Sequence, residues 1–151
     1  MLVTGASALR IPSYALAADA GLSMSFEPIA DSDLSLLTIA AAPLGLWVSC
    51  NGAPYVAGSG GLTRVTASAA EGFTSQALSE QSCSRFPIRS GTLSAVFVKA
   101  PNSDKVFVAQ NGVMRHVQSW RTLTSLAKGE PTILAWSDWT LGSVPTGTPI
   151  P

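Results

Sequence analysis

QNGVMRHVQSWRTLTSLAKG, residues 110–129, carries every signal of one small folding unit. Asn111-Gly112 is a hairpin turn, because a type I′ turn needs positive φ at both central positions and these two residue types tolerate it. VMRHV (113–117) is the returning strand. Ser119 caps the helix that follows, its oxygen accepting from an orphan N–H of the first turn. Trp120, Leu123, Leu126 and Ala127 recur at helical spacing on one face, and Gly129 is placed to end the helix in the left-handed region.

Working outward, VFVKA (96–100) and KVFVA (105–109) are apolar, β-branched strands separated by the turn cluster PNSD. PTILAW (131–136) is a further strand. Ser137-Asp138 then opens a short helix, with the acid near the positive end of the dipole, and Pro145 and Gly147 close behind it. The order is strand, strand, strand, helix, strand, short helix.

The same device recurs along the chain. GASALRIPSYALAADAG (5–21) repeats the turn, the strand, the Ser-aromatic start, with Tyr14 and Ala17 facing in, and the Gly21 stop. SFEPIA is its extended segment, and Ser32-Asp33 starts its final turn. In the middle stretch, WVSCNG (47–52) aligns with FVAQNG (107–112), and LSEQSCSRFP (78–87) with WSDWTLGSVP (136–145). The helix is lost there: VAGSGGLTRVTASAAEGF (56–73) puts Gly58, Gly60 and Gly61 where it belongs, and reads as a glycine-rich loop. The expected fold is α+β, a β-rich tandem repeat of three hairpin-helix-strand units: 1–40, truncated at its start; 41–92, degenerate; and 93–151, the best formed. A chain opening inside its own repeat is expected to be the tail of a longer protein.

Composition narrows the function. Charged residues make up 12% of the chain, about half the ~25% of ordinary soluble proteins. Nine basic and nine acidic side chains cancel, so there is no electrostatic footprint for a phosphate backbone, and nucleic acid is disfavoured and not expected as a partner. The longest apolar stretch, 36–50, is broken by Pro43 and Gly45 and is too short to span a membrane. Cys50 and Cys83 are the only thiols, fitting either one disulfide in an oxidising compartment or two buried free cysteines. Both lie in the degenerate unit, where a bridge would offset a lost helix, which favours the disulfide.

The stretch VFVAQNGVMRHVQSW…TILAWSDWTLGSVPTGTPI resembles a repeat of secreted and cell-surface proteins, especially actinobacterial ones. Its pattern is a hairpin with a Gly turn, apolar-Pro-Ser-aromatic, a short helix, a strand, then Ser-Asp-x-x-Leu and Pro-x-Gly. The resemblance implies the fold unit, a secreted or surface location and an accessory role beside hydrolases or cell-wall-directed domains. It carries over no catalytic residue and no agreed ligand, and no cofactor is expected. Gln118 departs from the pattern, standing where it has Pro.

The residues themselves point the same way. His116 is the only histidine, and no set of His, Cys, Asp or Glu has metal-ligand spacing. Ser59 in GSGG fails the nucleophile-elbow pattern because Ala57 holds the first Gly position. Asp31, Asp33, Asp138 and Glu80 recur at helix openings, where an acid is structural. The chain is therefore expected not to be an enzyme. Its aromatics are the better signal: Trp47, Trp120 and Trp136 read as core fillers, whereas Trp139 is open to either the core or a sugar-stacking surface. The expectation is a non-catalytic module binding glycan or cell-wall polymer through Trp139, Asp138, Arg115, His116 and Gln118, with Tyr14 and Arg10 as first-unit equivalents. The alternative is a spacer or assembly module held against a neighbouring domain or subunit, with no small ligand.

Overall fold

The computed structural model describes residues 1–151 and places them in three β-sheets with five short helices, a strand-rich α+β arrangement. In the first, β1 (Leu2–Thr4) and β2 (Ser7–Leu9) form a hairpin. Its turn is set by Gly5 (φ +59°) at the first central position, as a type II′ turn requires. Helix α1 (Tyr14–Asp19) follows the Ser13 cap, whose Oγ accepts from Leu16 N at 3.0 Å. After α2 (Asp31–Leu34) the chain returns as β3 (Thr38–Ile39), parallel to β2.

The second sheet contains β4 (Trp47–Cys50), β5 (Ala53–Gly58), β6 (Gly61–Val65), β7 (Gln76–Ala77) and β8 (Ile88–Leu93), in spatial order β7-β4-β5-β6-β8. Between β7 and β8 lies α3 (Glu80–Cys83), capped by Ser79. The third sheet has β9 (Val96–Lys99), β10 (Val106–Gln110), β11 (Val113–Val117) and, after α4 (Trp120–Ala127), β12 (Ile133–Ala135). Its order is β11-β10-β9-β12, and α5 (Asp138–Gly142) follows. The tail then runs parallel to β11 through bridges Met114–Thr146 and Val117–Ile150.

One register recurs in all three sheets. Ala8 pairs with Ile39, Leu62 with Ile88 and Met114 with Thr146. Each second partner stands nine residues past the N-cap of the preceding short helix, at Ala30, Ser79 and Ser137 respectively.

Four expectations are corrected. The glycine stretch 58–61 is not a loop: Gly58 ends β5, Gly61 begins β6, and Ser59 (φ +52°) with Gly60 (φ +75°) forms a tight hairpin turn. Residues 67–73, which follow β6, are turns and bends with no helix. Consequently Asn51-Gly52 joins the first two strands of its sheet, whereas Asn111-Gly112 joins the second and third, so the two turns are not equivalent. The first short helix begins at Asp31 with Ala30 at its cap, leaving Ser32 inside it. Finally, α4 ends with Lys128 in the left-handed conformation (φ +56°), one residue before Gly129.

The cores lie mostly between sheets. Leu9, Leu16, Leu22, Val48, Leu62 and Phe86 form one buried cluster from the first and second segments. Trp47, Val56, Val65, Val96, Val98, Leu134 and Trp136 form another from the second and third. The disulfide Cys50–Cys83 closes the second segment, with Cα atoms 6.0 Å apart, tying the end of β4 to α3. Gly21 makes the tightest approach between segments: a Cβ there would lie 2.2 Å from Gly60 O. Gly72 approaches the Asn111-Gly112 turn in the same way. No helix is long and apolar enough to cross a membrane.

Candidate functional site

A cleft of about 420 Å³ opens where the three segments meet, and its lining includes Pro12 and Leu16 from the first, Trp47 and Phe73 from the second, and Trp139 and Pro145 from the third. Its aromatic surface is that of Trp139 and the half-buried Phe73; Trp47 lies beneath, 4% exposed and stacked on Phe73 with ring centroids 4.2 Å apart and planes 14° from parallel. Hydroxyl groups come from Thr74 and Ser143, and no lining residue is ionisable. A neutral, flat, partly apolar ligand with hydroxyl groups suits such a surface, because aromatic faces take up the apolar face of a ring while polar edges stay solvated.

Trp139 is placed there by α5. Ser137 caps that helix, its Oγ 3.3 Å from the N–H of Thr140, and is itself fixed by Asp19 at the end of α1. Thr140 is fully buried and Val144 nearly so, which sets the inward face of this turn. Trp139, one residue before Thr140, is left 44% exposed. Trp136, three residues earlier at the end of the strand, is fully buried and its Nε1 donates to Ala57 O at 2.7 Å. The two tryptophans that bracket Ser137-Asp138 therefore do different things: one closes the core and the other faces the cleft.

Of the seven residues expected to bind ligand, only Trp139 lines this cleft. Asp138 is exposed at the start of α5. Arg115 is occupied by the chain's own tail, its Nε donating to Thr148 O at 2.7 Å. The His116 ring lies against Phe107, centroids 5.5 Å apart, and the Gln118 backbone N–H donates to Ile150 O. Arg10 reaches Ala41 O at 3.4 Å. Tyr14 borders a separate cavity beside Phe26, 5.4 Å away edge to face.

Two side chains expected to face the core do not. Tyr14 is 68% exposed and Trp120 is 64% exposed. Both are the first helical residue after a Ser cap, where the side chain leans back over the cap, and packing is carried by Leu16 and Ala17 in α1 and Leu123 in α4. Trp47 and Trp136 are buried as expected. Phe73, Pro12 and Pro145 carried no sequence signal for the cleft, since each belongs to a different segment and they meet only through packing. No group of three or more His, Cys, Asp or Glu is placed to hold a metal ion. Compared with protein-family models, curated proteins and solved structures, the chain matches none.

Proposed function

We propose that this chain is a non-catalytic module of a secreted or surface protein that binds a neutral glycan or cell-wall polymer, with the cleft around Trp139 as its site. The observation that carries this reading is Trp139 itself, held nearly half exposed on a rigidly capped turn, in a cleft with aromatic walls and no ionisable lining residue. The three sheets are read as three copies of one unit, supported by the common register in which the chain returns parallel to the second hairpin strand. An extracellular setting is supported by the disulfide. The test is a titration of tryptophan fluorescence with neutral polysaccharides and isolated peptidoglycan. Saturable quenching that vanishes in Trp139→Ala but survives in Trp120→Ala supports the site; no response to any polymer rejects it.

A second reading has its own observation. Met24, Phe26, Ile29, Leu36 and Ile39 are all exposed within one stretch of the first segment, a density of apolar surface that marks an association face. An assembly module would self-associate or capture a protein and ignore polysaccharide, which sedimentation alongside the titration separates.

A further inference from the structure

In the third sheet β9 lies between β10 and β12, antiparallel to the first and parallel to the second. Its Phe97 pairs with Val108 on one side and Ile133 on the other. That ring is 2% exposed, in a cluster with Val108, Val117 and Leu123. In the second sheet β4 holds the same place between β5 and β7, and its Trp47, opposite Val56, is buried with Val56 and Val65. The first sheet has no such strand. β1 pairs with β2 alone, and its other edge is unpaired.

Counting from the hairpin turn and the helix caps, Leu2, Ile11 and Ala17 stand at the places of Val108, Val117 and Leu123, and Phe26 at that of Ile133. Where the third sheet holds the Phe97 ring, Ile11, Tyr14, Ala17 and Phe26 border an open cavity of about 430 Å³. None of its lining side chains is charged, the only formal charge among the lining residues being the α-ammonium of Met1, and Phe26 is 61% exposed beside it. An unpaired strand edge next to an apolar hole of that kind is the arrangement that takes up an added strand, with backbone bonds giving affinity and the hole giving selectivity.

We infer that the first sheet is a strand acceptor. An extended apolar segment of a partner polypeptide, with the chemistry of Val96–Lys99, adds antiparallel to β1 and parallel to residues 26–29, and its aromatic side chain fills the cavity under Tyr14 and Phe26. The strand comes from outside these 151 residues, because β4 and β9, which have that chemistry, are buried in their own sheets. This reading does not depend on the glycan site, which lies in a different cavity.

The test uses the intact, disulfide-bonded chain labelled with ¹⁵N and a synthetic peptide of residues 94–102. Saturable shifts are expected at the amides of Leu2–Thr4, Tyr14, Phe26, Glu27 and Ile29, and a peptide with Phe97→Ala is expected to bind at least about tenfold more weakly. Absence of shifts with free peptide at about 0.1 mM, roughly tenfold below the tethered concentration, overturns the proposal, as does equal binding by the alanine peptide. A companion protein carries the same peptide ahead of Met1 on a flexible linker, at an effective concentration of about 1 mM. Shifts in the tethered protein alone overturn the partner as the source and assign the strand to the same polypeptide.

Discussion

Asp19 and Ser137, 118 residues apart, are joined by two hydrogen bonds: the Ser137 backbone N–H and its hydroxyl both donate to Asp19 Oδ2, at 2.9 and 2.8 Å. The carboxylate stands at the C-terminal end of α1, where the dipole disfavours it, and next to the opening turn of α5, where it is favoured. It is therefore placed for the third segment rather than for its own helix. Asp19→Ala is expected to lower stability by about 2 kcal/mol, the range for hydrogen bonds to a charged group. Urea unfolding measures the loss, and Asp19→Asn, which keeps an acceptor, should recover part of it.

The buried tryptophans should respond differently to the same substitution. Trp136 Nε1 is bonded to Ala57 O, whereas the Nε1–H of Trp47 is buried without an acceptor. Trp47→Phe removes an unsatisfied donor, and in the third sheet a phenyl ring, Phe97, is packed on β9, which like β4 lies between an antiparallel and a parallel neighbour. Both substitutions lose the same volume, and Trp136→Phe also loses a bond, so Trp47→Phe is expected to cost about 1–2 kcal/mol against about 3 kcal/mol for Trp136→Phe. Thermal melts of the two variants side by side decide this.

Gly21 has φ +76° and faces Gly60 O where a Cβ would lie 2.2 Å away. Gly21→Ala combines backbone strain with overlap against a main-chain atom that cannot move aside, and should cost about 3 kcal/mol or more. Gly129→Ala offers the comparison, since no atom lies within 4 Å of its Cβ position. Its loss should be the smaller of the two in the same denaturation assay.

The Cys50–Cys83 bridge spans 33 residues of sequence. By loop-closure entropy, replacing both cysteines with serine should lower stability by about 3–4 kcal/mol. Reduction of the native protein should shift its unfolding midpoint by a similar free energy, and the double serine variant should then be indifferent to reductant.

Trp139→Ala is expected to lower stability by about 1–2 kcal/mol and to leave the chain folded under assay conditions, because 44% of the residue is already in water and only the remainder loses packing. Any loss of polysaccharide binding in this variant is then a loss of contact and not of folding. Far-UV circular dichroism and a melt on the same sample check the first half of that statement.

The local devices were legible in the residues alone because each is set by neighbours in sequence. Ser13 and Ser119 cap the helices they precede, Asn111-Gly112 turns, and VMRHV returns as β11 over 113–117, all through short-range hydrogen bonds and allowed φ values. The tertiary structure alone decided what depends on distant partners. Gly58 and Gly61 read as a loop because glycine locally weakens any element, yet they are strand residues whose missing side chains admit Trp136 on one side and Pro87 on the other. Tyr14 and Trp120 read as core because apolar spacing counts positions on a helix and not the direction of a first-turn side chain. The cleft was invisible for the same reason: Trp47, Phe73 and Trp139 belong to two segments and became one surface only when the sheets packed around Asp19, Gly60 and Ser137.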